Sequence, residues 1–153
     1  MEQLKFIHNT IIHWIDKTDS KANIILALKL FILGYFLKEF HIQDVEKFKQ
    51  FILFIFFFSS ALSFFFVLKI VYPKLSTGEA SSLLYFKHIS DKYKFNKKQG
   101  AADYKNLTPD KLELDTINQI ISLSIVATEK YRDLQKSIIL LFVEVISLTI
   151  LFL

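Results

Sequence analysis

The chain has no cysteine. That excludes a disulfide-stapled scaffold, a zinc–thiolate site and a cysteine nucleophile. Breakers are scarce as well, with 3 glycines and 2 prolines in 153 residues, which argues against a disordered chain. Bases exceed acids only slightly, 19 Lys and Arg against 15 Asp and Glu, and a net charge of +4 does not by itself imply nucleic-acid binding. There is no glycine-rich phosphate loop, no pair of metal ligands at helical spacing and no nucleophile elbow. The histidines His8, His13, His41 and His88 include no i, i+4 pair. No catalysis, metal or cofactor is expected.

What the chain has is apolar surface. It is 52% hydrophobic and 16% aromatic, with 17 Phe. Long uncharged runs approach the roughly 20 residues that cross a bilayer. Three spans are expected, at 22–38, 50–72 and 137–153. The middle one carries no charge from Gln50 to Leu68. A soluble bundle needs polar outer faces, and Phe51-Ile52-Leu53-Phe54-Ile55-Phe56-Phe57-Phe58 offers none. The first span begins at Ala22, after a segment carrying both acids and bases. It reads as an anchor and not as a cleaved leader.

Lys and Arg set the expected orientation. The connection 39–49 is short and holds two Lys, whereas Pro73 to Lys136 holds ten Lys and Arg132. The segment 1–21 adds Lys5, Lys17 and Lys21. Residues 1–21 and 73–136 are therefore expected in the cytoplasm, with 39–49 and the C-terminus on the far side of the membrane.

Apolar positions Leu4, Ile7, Ile11, Trp14 and Ile15 follow helical spacing, and no Gly or Pro separates them from the first span. One continuous helix is expected there. Pro73 suits the end of the second helix. Residues 76–107 are the least regular stretch, with a short helix expected within 80–93. Thr108-Pro109-Asp110 is a helix start, and no breaker follows before Leu153. The fold expected is an all-α membrane protein. Its first and last transmembrane helices continue as long cytoplasmic helices that pack with a short helical connection. Three spans cannot enclose an ion path, so a conducting form requires an oligomer.

Several residues invite a function. Lys29 lies eight residues beyond Lys21, and Glu144 eight beyond Lys136. Both charges therefore fall about 12 Å into the span by the helix rise, where a charge costs about 2.5 to 3.5 kcal/mol. Opposite signs at one depth suggest a pair, within or between subunits, or a water-lined path. The plainer reading is a snorkelling Lys and an un-ionised Glu. Ser59, Ser60, Ala61 and Ser63 form a small-residue patch among eight Phe, suited to close helix packing or to pore lining. Below the spans, Arg132 offers a guanidinium suited to phosphate or carboxylate. Its neighbours Lys130 and Asp19 serve equally as a solvated face or a structural ion pair. Tyr85 and Phe86, beside His88, suit packing or base stacking.

Three stretches together resemble the transmembrane effector family of Pycsar-type bacterial anti-phage systems. They are Thr18-Asp19-Ser20-Lys21-Ala22-Asn23-Ile24-Ile25-Leu26, then Leu84-Tyr85-Phe86-Lys87-His88-Ile89-Ser90, then Gln119-Ile120 through Leu123-Ser124, Ala127, Lys130-Tyr131 and Leu134. The resemblance covers nearly the whole chain, although 91–107 carries no matching pattern. It implies a defence effector that senses a nucleotide signal, a cyclic nucleotide or an oligonucleotide, from a partner cyclase or nucleotidyltransferase. It implies further that the effector compromises the inner membrane. Asp19, Lys21, Tyr85, Phe86, Gln119, Lys130 and Tyr131 are then the positions for ligand binding or gating, with His88 and Arg132 beside them. The alternative is a non-conducting membrane adaptor that docks the partner enzyme.

Overall fold

The computed structural model describes residues 2–39, 46–72 and 86–153, with the backbone alone at 86–88 and 91. Among these residues there are five helices and no strand. They are α1 (Glu2–Glu39), α2 (Lys47–Val71), α3 (Phe86–Tyr93), α4 (Lys97–Lys105) and α5 (Pro109–Phe152). Helices α1, α2 and α5 are long and apolar enough to cross a membrane. At 1.5 Å per residue α1 runs about 57 Å and α5 about 66 Å, well beyond a hydrocarbon core of roughly 30 Å.

Helix α5 starts where Thr108-Pro109 predicts, and Leu112 N donates to Thr108 O at 3.1 Å. Helix α2 starts three residues before the expected span and ends at Val71, with Tyr72 as its C-cap. Pro73, His41 and the expected helix start at 80–85 lie outside the described residues. Helix α4 was not anticipated, because 97–105 is polar and shows no apolar period.

The chain divides into two units, Met1–Ile15 with Lys74–Ala127, and Asp16–Pro73 with Thr128–Leu153. In the second, α1 buries Thr18, Ala22, Ile25, Lys29, Ile32 and Phe36. These positions alternate four and three apart, the 3.5-residue period of a left-handed helix seam. Helix α2 buries Ile52, Phe56, Ser59, Ser63, Val67 and Ile70. One cluster joins Ala22 and Ile25 to Val67, Ile70 and Leu134. Another joins Ile32 and Phe36 to Ile52, Phe56 and Leu151. So α2 runs antiparallel to α1, and this part of α5 runs parallel to it. Phe36 and Phe56 stack with centroids 4.9 Å apart.

Outside this seam many large apolar side chains face outward. Ile24, Phe31, Phe54, Phe58, Phe65, Ile139, Phe142 and Ile146 are all exposed. Between helices lipid offers no hydrophobic drive, so close packing and hydrogen bonds must hold them. Ser63 is fully buried and donates to the backbone carbonyl of Ser137 at 3.0 Å, which brings α2 and α5 into close approach.

In the first unit, α3 and α4 form a tight helical pair. The Asn96 side chain caps α4, accepting from Gln99 N at 3.1 Å, and its amide donates to Gln99 Oε1 at 3.1 Å. Gly100 lies against the Tyr93 ring. A Cβ there would stand 3.0 Å from Tyr93 Cγ. The Tyr93 hydroxyl donates to Asp103 at 2.5 Å, and Lys92 lies 3.5 Å from the same carboxylate. The Tyr93 hydrogen bond holds the Asp103 carboxyl below its ordinary value, helped by Lys92 and opposed by desolvation. The same bond, with desolvation, raises the Tyr93 phenol.

Candidate functional site

The candidate residues divide between the two units. Asp19, Lys21, Lys130, Tyr131 and Arg132 belong to the second, and Gln119 to the first. Tyr85 and the side chains of Phe86 and His88 lie outside the described residues. Gln119 is half-buried on α5.

Asp19 and Lys130 meet. The Lys130 ammonium donates to both Asp19 oxygens, at 2.6 and 2.8 Å, and its side chain is 11% exposed. Such a two-point contact orients both side chains and joins α1 to α5. Lys21, Tyr131 and Arg132 are exposed. Successive helix residues turn by about 100°, so Tyr131 and Arg132 leave the seam that Lys130 enters.

The intramembrane charges also meet. Lys29 and Glu144 form an ion pair, with side chains 4% and 1% exposed. The pair lies within one subunit and ties α1 to α5. Ser59 donates to Ile55 O at 2.8 Å and to Phe56 O at 3.1 Å. Ser137 donates to Leu134 O at 2.8 Å. Of the three serines in the small-residue patch, Ser59 and Ser63 are buried and bonded to backbone in this conformation, and Ser60 is half-buried.

Sequence reasoning missed a third bridge. Lys69, at the end of α2, lies 2.9 Å from Asp133 Oδ2, and the Asp133 side chain is 7% exposed. The other Asp133 oxygen is buried with no hydrogen-bond partner. One signal was available: Asp133 stands three residues after Lys130, the spacing of one helix face. Together the three bridges lock α5 to α1 twice and to α2 once. Among the described residues no group of His, Asp and Glu is arranged to hold a metal ion.

This arrangement is a set of ion pairs that tie helices together. It can hold three helices in one register and change that register when a bridge is broken. A family model described as Pycsar effector protein domain matches residues 3–153. No curated protein and no solved structure matches the chain.

Proposed function

The chain belongs to the Pycsar effector family and is a multi-pass membrane effector of anti-phage defence, and from that premise we propose that it forms an oligomeric pore or channel gated by a nucleotide second messenger. The messenger is a cyclic nucleotide or an oligonucleotide, made by a partner cyclase or nucleotidyltransferase. It acts on the cytoplasmic face, which comprises the N-terminus and residues 73–136. The C-terminus is external. Opening compromises the inner membrane and arrests the infected cell.

The observation that carries this reading is the continuity of two helices. Helices α1 and α5 each run without a break from residues of one unit into residues of the other. A ligand that displaces their cytoplasmic halves therefore loads the same two helices that cross the membrane. It shifts the equilibrium only by its differential affinity for the two states. Asp19 and Lys130, bonded to each other at the end of the apolar spans, are the gating positions; Lys21, Arg132, Tyr131, Gln119, Tyr85, Phe86 and His88 are the ligand candidates.

Two features support an oligomer. Lys29 and Glu144 pair within the subunit and Ser63 bonds Ser137, so the outward faces of the spans are apolar. Conduction then requires several subunits and a turn of the helices that brings these polar groups to a shared path. In the first unit, Leu114, Ile117, Ile121 and Ile125 form an exposed apolar line along α5. Outside lipid such a line calls for a protein partner, and a second copy supplies it.

The test is flux. Purified protein in liposomes is expected to pass ions, read by the signal of a trapped ion-sensitive dye, on addition of one 3′,5′-cyclic mononucleotide or short oligonucleotide, and Asp19→Asn should blunt the response. No flux with any such nucleotide, together with stable capture of the partner enzyme, would favour the non-conducting adaptor.

A further inference from the structure

At the end of the charge-free part of α2, two cations from different helices converge on one aromatic ring. The Lys136 ammonium lies 5.1 Å from the Phe66 centroid. The Lys69 ammonium lies 5.8 Å from the same centroid and 6.0 Å from that of Phe65. A ring face attracts each cation, but two ammoniums near one ring repel each other. Only Lys69 is neutralised, by the buried Asp133 carboxylate at 2.9 Å. Lys136 has no carboxylate partner among the described residues, and neither has Arg132, one turn before it. The cluster therefore keeps an uncompensated positive charge, and Asp133 holds one of its ammoniums in place.

Its position says what kind of anion fits. Both lysines stand where the apolar runs begin. On the same helices Leu62 and Phe65, and Ile139 and Phe142, are exposed. A free anion would find water on one side and hydrocarbon on the other. A phospholipid matches both, with its phosphate at the cations and its acyl chains along the apolar side chains. Basic pockets between transmembrane helices bind anionic headgroups by this logic.

We propose that Lys69 and Lys136, over the Phe66 ring, form a seat for the phosphate diester of an anionic phospholipid. The seat joins α2 to α5 from outside, beside the Lys69–Asp133 bridge that joins them from within. It does not depend on nucleotide gating.

The full chain in detergent micelles is to be examined by native mass spectrometry. Dioleoylphosphatidylglycerol, dioleoylphosphatidylcholine and inorganic phosphate are added in separate arms. The chain should retain phosphatidylglycerol over phosphatidylcholine. Lys136→Gln removes an exposed side chain and leaves the Lys69–Asp133 bridge in place. It should cut that preference about fivefold, the change expected from one basic residue near an anionic surface. Lys136→Arg should restore the preference, and Lys5→Gln, the same charge change elsewhere, should leave it alone. Equal retention of the two lipids overturns the proposal, and so does a preference that survives Lys136→Gln. Capture of inorganic phosphate without lipid preference would assign the seat to a soluble anion and overturn it equally.

Discussion

Replacing Glu144 by Leu tests the Lys29–Glu144 bridge most directly. The carboxylate is 1% exposed and its partner Lys29 is 4% exposed. Removing Glu144 leaves a buried ammonium without the carboxylate it pairs with. Breaking a buried pair from one side costs about 3–5 kcal/mol. At roughly 2–4 °C per kcal/mol for a chain of this size, the melting temperature in detergent should fall by roughly 6–20 °C. Lys29→Met strands the carboxylate and should also destabilise. The double variant Lys29→Met/Glu144→Leu removes both charges and fills the space with apolar groups. It should recover most of the loss, because replacing a buried pair by apolar side chains is often neutral or stabilising. Thermal unfolding of the four proteins closes a double-mutant cycle, in which contacting residues couple by about 0.5–3 kcal/mol or more. A double variant as unstable as the sum of the singles would refute the bridge. So would a Glu144→Leu protein that melts with the wild type.

Three further outcomes are expected. Gly100→Ala should loosen the α3–α4 pair by about 1 kcal/mol, since overpacking of roughly 1–3 kcal/mol outweighs the helix-propensity gain of about 1 kcal/mol. The Tyr93 ring cannot swing away while its hydroxyl is tied to Asp103, and faster amide exchange across 93–105 is the readout. The same pair should hold its structure through neutral pH and lose it at both extremes. Asp103, lowered in the folded state, stabilises above its ordinary 3.8, and that contribution disappears as pH falls through the depressed value. Tyr93, raised in the folded state, stabilises below its ordinary 10.0, and that contribution disappears as pH rises through the elevated value. Amide exchange that is flat from strong acid to strong base would count against the contact. Lastly, Asp19→Asn should weaken the α1–α5 junction by about 1 kcal/mol, discounted because Asp19 is 37% exposed. The exchange Asp19→Lys/Lys130→Asp should restore it, as read by protection of amides 16–24.

The three spans, the two unbroken helices and the start of α5 were legible in the sequence. All three are one-dimensional properties. Span length is a count of apolar residues between Lys21 and Lys38 or between Gln50 and Lys69. Helix continuity is the lack of Gly and Pro, and the start of α5 is Thr108-Pro109-Asp110. The matched depths of Lys29 and Glu144 came from the same counting, eight residues past a boundary lysine on two helices running the same way. Counting gives depth and leaves open which helix stands beside which. Whether Glu144 faced Lys29 of its own chain, a neighbouring subunit or water depended on the packing of α1 against α5.

Tertiary structure alone decided the remainder. Lys69 ends an apolar helix like any boundary lysine, and only the close approach of α2 to α5 makes it the partner of Asp133. Ser63 reads as one more small residue until its hydroxyl meets the Ser137 carbonyl. Helix α4 has no apolar stripe to advertise it, and it is held by the Asn96 cap and by the close approach of Tyr93 to Gly100. Apolar length and helix breakers act on neighbours along the chain, so they can be read in order. Ion pairs, carbonyl contacts and a ring against a glycine act across space, where partners 64 or 74 positions apart come together only when the helices pack.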